Sequence, residues 1–167
     1  MNLEKLRRYE YPAGIGLIII ALIIYKFRFL SLPYYWDEAW PYSAGIHDLY
    51  TNGLSLMPGA ISSFVARGHP LMFHFLAAGW MKVFGTGLFA GHCFAMLIST
   101  LLIISIYLFC KTFFSERIGF IACLLFGCQA IFISQSSFLM PEVLMALCTM
   151  LCFLTYFTEK KNAIHFI

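Results

Sequence analysis

Leu88 to Cys110 carries no charged side chain, and neither does Ile118 to Met140. Tyr11 to Leu32 is apolar apart from Lys26 and Arg28 near its far end, and Pro141 to Thr158 apart from Glu142. About 20 predominantly apolar residues cross a bilayer as a helix. Runs of this kind predict an all-α integral membrane protein with about four transmembrane helices, plus juxtamembrane helices in the first external loop. The expected spans are 11–32, 88–110, 118–133 and 142–158, all within one membrane domain, 1–167. Mean hydropathy of +0.82 agrees, and 11% charged residues is well under the ~25% of soluble domains.

Between the first two spans lies an external loop, 33–87, with Gly, Pro and scattered aromatics. Gly68-His69-Pro70 is a helix-start signal. It opens an interfacial helix at about 70–84, too short for an ordinary span. Gly85-Thr86-Gly87 breaks that helix. No A-x-A-like site follows the first apolar run, so we expect an uncleaved anchor rather than a signal peptide. With four spans, Lys5, Arg7, Arg8, Lys111, Arg117, Lys160 and Lys161 lie on one side, and Lys26, Arg28, Arg67 and Lys82 on the other. The positive-inside rule then makes the N-terminus cytoplasmic. A five-span arrangement weakens that bias. Four spans also put Asp37, Glu38, His69 and Glu142 on the non-cytoplasmic face of the membrane.

The small net charge of +3 gives no support to nucleic-acid binding. The six cysteines lie in or beside apolar runs without C-x-x-C spacing, so they read as packing, with no metal site. There is no G-x-G-x-x-G, G-x-S-x-G or H-E-x-x-H. A nucleotide-sugar donor or a conventional hydrolase therefore has no support.

Acids are scarce, 8 among 167 residues. Two are adjacent in Tyr34-Tyr35-Trp36-Asp37-Glu38, where aromatic rings favour the membrane–water interface. Asp37 can serve as a general base or ligate a divalent metal. Glu38 can orient a substrate or a neighbouring helix. The bland alternative is a solvated loop pair. Glu142 is the one charge between Ile118 and Thr158. Charges in such segments are usually functional, although an acid at a helix N-terminus also simply suits the dipole. His69, Arg67 and Lys82 are candidate phosphate partners, with loop-holding or interfacial anchoring as alternatives. Trp36 and Tyr35 are candidates for sugar stacking, or members of an interface belt. His74 and His92 read as packing or polar contacts between helices.

The ordered set "WDEAWPYSAGI", "GHPLMFHFLAAGWMKVFG", "LFAGHCFAMLISTLLIISIYLFCKTFFSERIGFIACLLF" and "SSFLMPEVLMAL" resembles the N-terminal part of the GT-C glycosyltransferases. Closest are the family-39 type: protein O-mannosyltransferases, the lipid A aminoarabinose transferase and the Rgt-type transferases of bacterial envelopes. The resemblance covers roughly Tyr11 to Phe157. It implies an inverting, multi-spanning enzyme of the plasma (inner) membrane. Such an enzyme passes a sugar from a polyprenyl-phosphate donor to an envelope lipid, glycan or protein acceptor outside the cytoplasm. It implies Asp37 as the base, Glu38 as its partner and Glu142 as the second-loop acid. Many members have Asp preceded by Arg where this chain has Met140-Pro141-Glu142. The implied partners are the lipid-linked donor, membrane lipids and an unidentified acceptor; a divalent metal is a candidate cofactor, though no residue here demands one. Family members have more spans than four, so we expect a first module, completed by further chain or a subunit. The competing expectation is a non-catalytic membrane protein that binds or flips lipid-linked sugars.

Overall fold

A computed structural model describes residues 3–66 and 68–164. Among the described residues every regular element is helical. The helices are α1 (Leu3–Phe27), α2 (Ser43–Asn52), α3 (Ser63–Ala66), α4 (Leu71–Phe84), α5 (Leu88–Phe113), α6 (Glu116–Gly127), α7 (Ala130–Gln135) and α8 (Pro141–Ile164).

Three of them are long and apolar enough to cross a bilayer: Glu10–Phe27 of α1, α5, and Pro141–Glu159 of α8. α5 is the central one. It packs against α8 and α6 most extensively, and also against α1 and α4. Its buried residues include His92, Ala95, Ser99, Leu102 and Ile103, a helical spacing that presents one face to its neighbours. The outer faces of α1 and α8 stay apolar and exposed, as at Leu17, Ile20 and Ile24, and at Met145, Leu151 and Phe153. In a water-soluble protein so much apolar surface would mark a contact site; in a bilayer it suits lipid or a further helix.

Small residues let the helices approach. A Cβ on Gly14 would lie 2.6 Å from the Phe120 ring, so α1 lies directly on α6. A Cβ on Gly119 would meet Tyr107 of α5 at 3.0 Å. Close backbone approach through glycine is the usual device of membrane helix pairs. The α5–α6 turn is held by a Lys111–Glu116 ion pair of 2.7 Å. Ser115 caps α6 by accepting from the Ile118 N–H at 3.2 Å.

Two stretches differ in form from the expected spans. α1 ends at Phe27, and 28–32 forms turns, with the Phe29 N–H bonded to Lys26 O and the Leu32 N–H to Phe29 O. The stretch 118–133 is not one helix. α6 stops at Gly127, and Gln129 is extended (φ −71°, ψ 127°) before α7 begins. Gly127 lowers helix propensity at this point. The backbone loses little, because the Cys128 N–H bonds to Leu124 O and the Gln129 N–H to Phe126 O.

Within the first loop, α4 buries Phe73, His74, Ala77, Ala78 and Met81. This i, i+4 stripe packs on α2 and α5. Gly45 of α2 makes room for the His74 ring, which would lie 2.6 Å from a Cβ there.

Candidate functional site

The two adjacent acids part company at Trp36. This residue has φ of 30°, a left-handed conformation uncommon for a bulky side chain, and its indole is 79% exposed. Beyond it Asp37 faces outward, whereas Glu38 is buried at 1% exposure. Asp37 begins a short kinked turn over Glu38–Tyr42, but its carboxylate caps none of that turn's N–H groups.

Glu38 is a three-donor clasp. Its Oε2 accepts from the Tyr35 N–H at 3.0 Å, and its Oε1 accepts from the Leu139 N–H at 2.7 Å. The same Oε1 lies 3.1 Å from Nε2 of His92. Nδ1 of His92 is in turn 2.8 Å from the Leu30 carbonyl. A carbonyl and a carboxylate both accept, so a doubly protonated ring satisfies both contacts. One carboxylate thus ties together the first loop, α5 and the α7–α8 connection. Tyr34 lies edge-on to His92, with ring centroids 5.2 Å apart. Burial first, and then the Glu38 charge, push the Tyr34 phenol up to about 12.

A second cluster gathers around Tyr42. Its ring is buried, and its hydroxyl lies 3.3 Å from Nδ1 of His69, whose ring packs edge-on against it at 4.9 Å. Burial raises the Tyr42 phenol to about 12, and the charges of Glu142 and Asp37 add to the effect. Glu142 is exposed in the first turn of α8, and Asp37 is exposed in the first loop. The bond from the Leu139 N–H to Glu38 brings the first loop to the chain just before Glu142. Sequence reasoning missed Tyr42; its position five residues after Asp37, in the loop that carries three of the eight acids, was the available signal.

Two hollows adjoin this region. The larger, about 640 Å³, is lined by Lys26, Glu38 and His92 among largely apolar walls. The smaller, about 460 Å³, contains Asp37 with Trp36, Gln135 and Met140. Tyr35, Ser134 and Phe138 border both. The Tyr35 and Phe138 rings are stacked, at 6.3 Å and 24°, and stand between the two hollows.

Of the other sequence candidates, Arg67 lies outside the described residues. Lys82 is exposed in the last turn of α4, with Nζ 5.5 Å from the centre of the Tyr50 ring, and borders neither hollow. Tyr35 and Trp36 are exposed where a substrate can reach them. His92 is a contact between helices, bonded to the Glu38 carboxylate. His74 is buried, with Nδ1 3.2 Å from the Pro70 carbonyl and no partner for Nε2. Burial holds its pKa below the ordinary histidine value, opposed by the Pro70 carbonyl. Lys26, counted above among the cations of the external side, turns inward, with Nζ 3.1 Å from the Ser134 carbonyl. Among the described residues no three His, Cys, Asp or Glu side chains are gathered to hold a metal ion.

Residues 68–166 match the family model described as dolichyl-phosphate-mannose-protein mannosyltransferase, more than half of the chain. The chain belongs to this family. No curated protein and no solved structure gives a significant match. The family match takes in His69, Lys82 and Glu142 and begins after Asp37 and Glu38. The protein is therefore of the mannosyltransferase-type GT-C class, with helices suited to a membrane. Within the dolichyl-phosphate-mannose-protein mannosyltransferase family, the roles of Asp37 and Glu38 in this chain rest on the geometry above.

Proposed function

We propose that this chain forms the acceptor-activating part of a glycosyltransferase. The enzyme uses a polyprenyl-phosphate-linked sugar and works on the non-cytoplasmic face of the plasma (inner) membrane. The single observation that supports this most is the exposed Asp37 carboxylate in a hollow with Trp36 and Met140, on a loop that its neighbour Glu38 ties to Leu139 at the start of α8.

Asp37 is the catalytic residue of this reading. Its exposed carboxylate takes the proton of an acceptor hydroxyl as that oxygen attacks the anomeric carbon. The new carbon–oxygen bond forms as the bond to the phosphate oxygen breaks, and the electron pair leaves on the polyprenyl phosphate. Stabilising that developing charge is the other task of the site. Glu38 does not touch the reacting atoms; through Tyr35 and Leu139 it fixes the loop that carries Asp37.

The test is sugar transfer by the complete enzyme carrying Asp37→Asn, together with cysteine-accessibility labelling at positions 37 and 142. Loss of transfer with both positions labelled from outside the cytoplasm supports the reading. Undiminished transfer removes Asp37 as base, and labelling from opposite sides removes the shared site.

A further inference from the structure

We infer that Lys26 is a positioning residue that holds the phosphate of an isoprenoid-linked phosphate in the larger hollow. This deepens the glycosyl-transfer reading above and rests on it.

Lys26 is on α1, in the part of the helix suited to cross a bilayer, yet it is only 6% exposed. A lysine near a span end ordinarily extends its ammonium to the interface. This one points into the protein. Among the described residues no carboxylate lies within 4.0 Å of its Nζ. Glu38 borders the same hollow and attracts the ammonium across it, but its own direct contacts are to Tyr35, His92 and Leu139. An ammonium has three donors, and the Ser134 carbonyl takes one. The rings of Phe29 and Phe138, each 5.7 Å away, add a weaker attraction. A buried cation with spare donors and no counter-ion in direct contact is costly in an apolar setting. An anionic ligand removes that cost.

The rest of the hollow says what kind of anion. Its walls are apolar side chains, among them Tyr25, Phe29, Leu32, Pro33 and Ile133. A free inorganic phosphate gains nothing from them. A phosphate on an isoprenoid chain fits both parts, with the head on Nζ and the chain along the walls. The stacked Tyr35 and Phe138 pair then separates the phosphate from Asp37. A sugar on that phosphate would reach past the pair towards the base.

The test titrates farnesyl phosphate into the full chain in phosphatidylcholine nanodiscs, against farnesol and against phosphatidylglycerol as competitor. Wild type should bind farnesyl phosphate at least about tenfold more tightly than farnesol, the scale of one charge-assisted contact. Lys26→Gln should erase that preference and leave farnesol binding unchanged; Lys26→Arg should restore it. Equal binding of phosphate and alcohol by wild type overturns the proposal without any variant. Displacement by phosphatidylglycerol at matching concentration overturns it in favour of a bulk-lipid site. Asp37→Asn should keep full farnesyl phosphate binding. If Asp37→Asn still transfers sugar while Lys26→Gln loses the phosphate preference, the catalytic reading fails and the Lys26 site stands.

Discussion

Glu38 and His92 form a buried ion pair, with Oε1 3.1 Å from Nε2. It joins the first loop to the middle helix of the protein, and the Leu139 N–H on the same oxygen brings in the start of α8. The residue next to the exposed acid is thus the anchor of the whole region.

His92→Ala leaves the Glu38 carboxylate buried without its charged partner. Removing one member of a buried pair typically costs about 3–5 kcal/mol. We expect a clear drop in the thermal unfolding temperature of the detergent-solubilised protein. A variant as stable as wild type would show that the pair contributes nothing to the loop's attachment.

Asp37→Asn should behave in the opposite way. Asp37 is exposed and caps no helix, so folding should be intact. Sugar transfer by the complete enzyme should fall roughly a hundred- to ten-thousand-fold, the usual contribution of a general base. Parallel measurement of melting temperature and transfer rate separates the two acids.

Gly91→Ala would drive a methyl group into the Tyr34 hydroxyl. Overpacking of this kind costs about 1–3 kcal/mol. The Tyr34 hydroxyl is buried without a hydrogen-bond partner, so Tyr34→Phe alone should be near neutral. The double variant should recover most of the stability lost by Gly91→Ala. A double-mutant cycle with no coupling would place the clash elsewhere.

Tyr34 and Tyr42 both have phenols pushed up to about 12 from the ordinary 10.0. Burial is the first cause in each. An unfolded chain loses these protons from about pH 10, while the folded one keeps them. The stability they support is therefore complete below pH 10 and declines as pH rises towards 12. Ultraviolet titration of tyrosinate should show a late-ionising fraction that Tyr42→Phe reduces. A Tyr42→Phe profile identical to wild type would refute the assignment.

Composition and apolar run length made the all-helical membrane character legible, and Gly85-Thr86-Gly87 and Pro141 marked helix boundaries that the structure has. The scarcity of acids pointed to the right loop. It did not reveal that two neighbouring carboxylates have unlike surroundings. That difference comes from the left-handed turn at Trp36 and from donors far along the chain, at His92 and Leu139. Lys26 was misread because a lysine near the end of an apolar run usually reaches for water. Its inward direction depends on the Ser134 carbonyl, which no local pattern exposes. The helix break at Gln129 was equally silent, since the surrounding residues are as apolar as those of an unbroken span.

That break has a consequence for Lys26. Ala130 and Ser134, just past it, line the hollow that holds the lysine. Because α7 is a separate short helix that ends at Gln135, the Ser134 carbonyl falls in its last turn, where carbonyls have no partner along the helix. The Lys26 ammonium takes that carbonyl.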